Sequence, residues 1–176
     1  ASKSFAHDLL TRLDPSVVIS IERCGLNDEG KYLTMRAQDI SSFTARVDHL
    51  FMNHPNTIGI GDGGNELGMG NLASFIPDVP TLVKKPCVVS STKPIITSVS
   101  NWGGYGLVAA LSKLRNRNLL PSIEQEREWV KRCADLGAVD GMSHEVEYRV
   151  DGFTLEENSM ALAELHELLA GEGIPS

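Results

Sequence analysis

The chain has little of what several function classes require. Its 176 residues include only three cysteines, Cys24, Cys87 and Cys133, with no C-x-x-C spacing. Such a set builds neither a disulfide framework nor a thiolate zinc site, so all three read as buried, inert thiols in a reducing compartment. Basic residues are outnumbered 16 to 23 by acidic ones, for a net charge of −7. The densest basic stretch, Lys113 to Arg117, reads as the end of a helix, where cations complement the helix dipole. With no clustered basic surface to neutralise a phosphate backbone, nucleic acid is excluded as a partner. No apolar run approaches the roughly 20 residues of a membrane span, and the first eight residues are no secretory signal. The expected compartment is the cytoplasm, or the mitochondrial matrix in a eukaryote. The chain opens on Ala1 rather than Met, so a processed or truncated piece of something longer is expected. No G-x-S-x-G elbow is present to support a serine hydrolase. His166-Glu167 does not continue into H-E-x-x-H, and D-x-D is absent.

What is present is ordinary globular material, 41% hydrophobic and 22% charged. A chain of this size buries about 70% of its unfolded surface and needs no staples. Phe5, Leu9, Leu10 and Leu13 carry helical spacing, ended by Asp14-Pro15. The β-branched run 16–21 predicts a buried strand that delivers Glu22 and Arg23 at its end. Ser41 or Ser42 is expected to cap a helix to about Asn53, with Phe43, Val47, Leu50 and Phe51 inward. Further strands are expected at 57–60, 87–91, 95–99 and 146–150, with helices after Glu66 and after Ser100. Two more helices follow from the capping boxes Ser122/Gln125 and Thr154/Glu157, the latter stopped by Gly171. Alternating strands and helices predict one α/β domain over 1–176. Its mostly parallel sheet should be flanked by helices on both faces, with the site at the C-terminal ends of the strands.

The most informative segment is Gly59–Gly70, in which six of twelve residues are glycine, with Asp62, Asn65 and Glu66 among them. One β-turn needs one or two glycines, and strand–glycine loop junctions are recurrent ligand sites. Gly59, Gly61 and Gly64 match the spacing of the dinucleotide fingerprint. Asp62 would then put a negative charge inside the pyrophosphate turn, and the acidic residue expected about 20 positions on is missing. A divalent cation, manganese or magnesium, suits the loop better, held by the oxygens of Asp62, Asn65 and Glu66. Glu22 is either a further ligand or an ion-pair partner of a nearby arginine. Gly63 and Gly64, with Ser100, Asn101, Trp102 and Gly103, are candidate substrate contacts. The competing reading of the Ser100 segment is a helix cap with Trp102 in the core. Arg23 and Arg36 could clamp a carboxylate, or form structural salt bridges.

Four segments together resemble the C-terminal domain of the D-glutamate cyclase family. They are Ile21-Glu-Arg-Cys-Gly25, Gly30-Lys-Tyr-Leu-Thr-Met-Arg36, Thr57–Gly70 and Val99-Ser-Asn-Trp-Gly-Gly-Tyr105. Val139-Asp-Gly141 and Val150-Asp-Gly152 look like the family's closing segments. The resemblance implies a hydro-lyase that converts D-glutamate to 5-oxo-D-proline and water. The family's domain begins before the position matching Ala1, and Thr92-Lys-Pro94 stands where an acidic residue is expected. Under this reading a metal on Asp62, Asn65 and Glu66 polarises the γ-carboxylate, and Arg23 or Arg36 holds the α-carboxylate. Glu22 or Asp39 takes the ammonium proton, so Glu22, Asp39, Asp62 and Glu66 form the catalytic set. The expected partner is a small amino acid, with homo-oligomerisation left open. Two other classes compete. Gly61-Asp-Gly-Gly-Asn-Glu66 resembles the magnesium loop of haloacid-dehalogenase-type phosphatases, and a non-catalytic small-molecule binding domain would carry the same loop.

Overall fold

The computed structural model describes residues 1–175, and the chain divides into two compact units, Ala1–Gly103 and Gly104 onward. The first unit opens with helix α1 (Ser2–Leu13), which ends on Asp14 in the left-handed conformation. Three strands follow: β1 (Val18–Ile21), β2 (Thr57–Gly61) and β3 (Lys93–Ile96). They form one parallel sheet, as their hydrophobic runs predict, with strand order β1-β2-β3. In register, Ile21 pairs with Ile60 and Ile60 with Ile95. The parallel sheet with its flanking helices gives the α/β class.

Three elements expected in the first unit are missing or shortened. The helix expected over 41–53 is only Asp48–Met52, here called α2. Upstream of it, the Ser41 hydroxyl accepts from the Tyr32 amide and the Ala45 carbonyl accepts from Arg23 at 2.5 Å. Phe43, expected inward, is 90% exposed. The helix expected after Glu66 is replaced by two 3-10 turns, Gly70–Leu72 and Ile76–Asp78. The strand expected at 87–91 is reduced to isolated bridges, Asn27 with Cys87 and Ser90 with Gly68 and Met69. In each case a long-range contact takes the polar group that a local element would use.

Small cores hold the returning chain in this unit. Phe51, Leu67, Cys87 and Val89 pack together with Val18 and Leu26. Met69, Ile76 and Val83 pack with Leu72 and Leu82. Burial pushes the Cys87 thiol up to about 12, keeping it an inert apolar group. Cys24 is half-buried, but Cys133 is exposed, against the expectation that all three are buried.

Helix α3 (Ser100–Arg115) begins in the first unit and continues into the second. Its Gly103 brings it onto the sheet: a Cβ there would stand 2.6 Å from Ile60 Cγ2. The second unit contains α4 (Ile123–Asp135) and α5 (Leu155–Gly171), which pack on each other. Both expected capping boxes are formed. The expected strand at 146–150 shrinks to β4 (Arg149–Val150), paired antiparallel with β5 (Phe153–Thr154). Leu155, Leu162 and Leu169 are buried along α5. Among the described residues no helix is long and apolar enough to cross a membrane.

Candidate functional site

The glycine loop does not project from β2; it folds back onto it. A Cβ on Gly59 would lie 2.8 Å from Gly68 Cα, and one on Gly61 would lie 2.8 Å from Glu66 Oε2. These glycines admit the close approach of the returning chain to the strand. Gly68 itself is left-handed, with φ 105°. The loop is then laced to the segment after β1. The Leu67 amide donates to the Arg23 carbonyl at 2.6 Å, and the Gly25 amide to the Asn65 carbonyl at 2.8 Å.

Glu66 is the hub of this turn. Its side chain is 1% exposed, and it accepts from the amides of Asp62 (3.2 Å), Gly63 (2.7 Å) and Gly64 (2.7 Å). A buried carboxylate is tolerable only when its lone pairs are met in this way. The amides of Gly63 and Gly64, two candidate substrate contacts, thus donate to Glu66. Their carbonyls accept from Val83 (3.4 Å) and Cys87 (2.9 Å). Asn65 pins the loop from the other side, its side-chain amide donating to the Leu33 carbonyl at 3.0 Å.

Asp62 accepts from the Ser100 amide at 3.0 Å through Oδ2. It thus caps the start of α3 from 38 residues away, a favourable place for a negative charge. The Ser100 hydroxyl is fully buried and has no hydrogen-bond partner among the described residues. Asn101 is exposed, Trp102 is half-buried and Gly103 is buried. Of this segment, Gly103 serves helix packing, while Ser100 touches Asp62 directly.

Glu22 follows the last residue of β1 with φ 52°, a left-handed conformation in a non-glycine residue. Such strain recurs where function dictates the backbone. Glu22, Asp62 and Glu66 each offer a carboxylate oxygen, and these oxygens lie within 4.8 Å of one another. The structure thus gathers three of the four acids expected from the sequence. Asp39 is not in that group. It is exposed and bound to Ser41, whose hydroxyl and amide hold its carboxyl below the usual range. Arg36 lies exposed in the turn after Thr34, and Arg23 is half-buried.

Sequence reasoning missed a second polar cluster in the first unit. The fully buried Tyr32 donates its hydroxyl to Asp48, which is 4% exposed and also accepts from the Leu26 amide at 2.8 Å. Burial, then the Asp48 hydrogen bond and charge, push the Tyr32 phenol well above its ordinary range. The Arg46 guanidinium stands 6.0 Å from the centre of the Tyr32 ring. A tyrosine in the polar stretch 28–39 was the available signal, but nothing local indicated its partners.

A family model described as "D-glutamate cyclase-like, C-terminal" matches residues 2–166. The chain is also 35% identical over 105 residues to a Homo sapiens protein named "D-glutamate cyclase, mitochondrial". That similarity covers 53% of this chain and 16% of the human protein, so the chain spans only a small part of that relative.

Proposed function

The chain belongs to the D-glutamate cyclase-like C-terminal family, and from that premise we propose that it cyclises D-glutamate to 5-oxo-D-proline with loss of water, assisted by a divalent cation. The observation that supports this most is the convergence of Glu22, Asp62 and Glu66 just beyond two neighbouring parallel strands. Oxygen ligands sit about 2.0–2.6 Å from a hard cation, so two of them can be up to about 5 Å apart. Three carboxylate oxygens within 4.8 Å fit manganese or magnesium. When bound, such an ion supplies Lewis-acid polarisation of a carboxylate.

The residues of the chain do the rest in this reading. The reaction joins the α-nitrogen to the γ-carbon and breaks one γ-carbon–oxygen bond. The ammonium gives up two protons, and the departing oxygen leaves with both as water. Glu22 and Asp62 are the carboxylates suited to receive and return those protons. Glu66 would help hold the cation while anchoring the loop, since its oxygens also accept from the loop amides, and it takes no part in the proton transfers. Arg23, adjacent in sequence to Glu22, binds the α-carboxylate. Holding the curled substrate supplies the proximity advantage of an intramolecular reaction.

The test is a 5-oxo-D-proline assay with D-glutamate, in manganese and in chelator, on wild type and Asp62→Asn. Wild type should turn over only with metal, and the variant should lose activity by orders of magnitude. Manganese should raise the melting temperature of wild type alone. Asparagine can still cap α3, so the fold of the variant should persist. Full turnover and an unchanged metal shift in Asp62→Asn would overturn the reading. Turnover of phosphate esters instead would favour phosphatase chemistry.

A further inference from the structure

Arg23 and Arg46 both act on one buried residue, Tyr32. Among the described residues neither forms an ion pair within 4.0 Å, whereas Lys31, Lys85, Lys113 and Arg149 do. The Arg23 side chain donates through Nη2 to the carbonyl of Ala45, the residue before Arg46. Its Nε is buried and meets no acceptor. An orphaned buried donor on a charged group is costly. The Arg46 guanidinium lies over the Tyr32 ring, and both guanidinium groups act electrostatically on the Tyr32 hydroxyl. Stacking restrains the plane of Arg46 while leaving its N–H edge available. The Arg23 backbone is tied to the glycine loop, since its carbonyl accepts from Leu67, the residue after Glu66, and Arg23 follows Glu22 directly in the chain.

We propose that Arg23 and Arg46 form a carboxylate-binding clamp, with Arg46 as its specificity-determining member. The proposal rests on the amino-acid reading of the site and names the group that holds the substrate's α-carboxylate. The acids Glu22 and Asp62 face the substrate's ammonium, and the two arginines take its opposite charge. The floor of the clamp is Tyr32, held in place by Asp48. Asp48 does not neutralise the clamp by ion pairing: its carboxylate meets the Tyr32 hydroxyl and the Leu26 amide. A planar bidentate fork suits a carboxylate better than a lysine ammonium would.

The experiment titrates the 176-residue chain calorimetrically with glutarate, which keeps both carboxylates and cannot cyclise, in saturating manganese. Its diamide, glutaramide, serves as the control. Wild type should bind glutarate and ignore glutaramide. Arg46→Gln should weaken glutarate at least tenfold, and Arg46→Lys should fall in between. Arg46 is exposed, so the melting curve of Arg46→Gln should match wild type, separating binding from folding. With D-glutamate, Arg46→Gln should raise KM at least tenfold and change kcat little. Unchanged glutarate affinity in Arg46→Gln, equal binding of the diamide, or no glutarate binding by wild type would each overturn the clamp. The two readings fail separately. Arg46-dependent glutarate binding without 5-oxoproline formation keeps the clamp and removes cyclisation. Full turnover by Arg46→Gln with unchanged KM keeps cyclisation and removes the clamp.

Discussion

The glycine loop of the first unit and the helices of the second unit solve the same problem in opposite ways. Both must satisfy backbone amides that no regular element covers. In α4 and α5 the answer is local: Ser122 and Thr154 accept from amides three residues ahead, and Gln125 and Glu157 reciprocate. In the loop it is partly distant. Glu66 gathers three nearby amides, but from elsewhere in the chain the Arg23 carbonyl accepts from Leu67 and the Val89 carbonyl from Gly68 and Gly70. Locally satisfied segments tolerate change one residue at a time. A segment satisfied from a distance depends on every strand end that reaches it.

Glycine substitution should break this comparison most sharply. Gly59→Ala pushes a Cβ to 2.8 Å from Gly68 Cα and 3.0 Å from the Leu67 carbonyl oxygen, both backbone atoms that cannot rotate away. It should cost about 3 kcal/mol, at the upper end of overpacking penalties. Gly106→Ala, within α3 and with no atom within 4 Å of the new Cβ, should instead stabilise by about 0.5–1 kcal/mol through helix propensity. Urea unfolding of both variants measures the difference, and equal effects would erase the distinction between the two regions.

Glu66→Gln is the next largest. One oxygen is replaced by an amide that must face N–H groups, so a loss of about 1–3 kcal/mol is expected from the unsatisfied donors. Hydrogen exchange should quicken at Asp62, Gly63 and Gly64. Protection unchanged at those three amides would show that Glu66 does not hold the turn.

Ser122→Ala and Thr154→Ala sharpen the other side of the comparison. Each should cost about 1 kcal/mol, the usual worth of an N-cap. Because each cap serves only its own helix, the two losses should add in the double variant. Thermal melts of the single and double variants supply the test, and strong non-additivity would mean that the caps are not local devices.

The mildest effect concerns pH. Burial raises the Asp140 carboxyl, but the amides of Gly152, Ser143 and Met142 outweigh it and leave the group below its usual range. Its folded value is therefore depressed below the unfolded value of about 3.9. The stability it contributes is fully present above that unfolded value and is lost as pH falls through the folded one. Asp151 is shifted the other way, by burial and then by the Asp140 charge. On acidification Asp151 should take its proton first, and carboxyl carbon shifts followed by NMR should show the two steps in that order.

Much of this was legible in the residue order. The run 57–60 pointed to a strand that enters the candidate site's glycine-rich loop, and 16–21 and 95–99 pointed to that strand's parallel neighbours. Asp62, Glu66 and Glu22 were legible as candidates because carboxylates among glycines at strand ends are unusual. The Tyr32–Asp48 pair and Arg46 were not, because their partners lie 14 to 16 positions apart along an irregular segment. The helix expected from 41 failed for the same reason. Ser41 had a better use, at Tyr32, than capping.

The sequence by itself determined the elements whose signals span a few residues: the capped helices, the β-branched strands and their parallel order. Helical period and capping geometry act over one or two turns, so nearby residue types suffice to specify them. Tertiary structure alone decided that Glu66 turns inward to hold its own loop, that Asp62 reaches the start of α3, and that Glu22 joins them in a strained conformation. Those outcomes depend on which donors, near or distant, the folded chain brings to each carboxylate. That is a matter of where the strands end in space, since an unmet polar group in the interior costs more than the local structure it displaces.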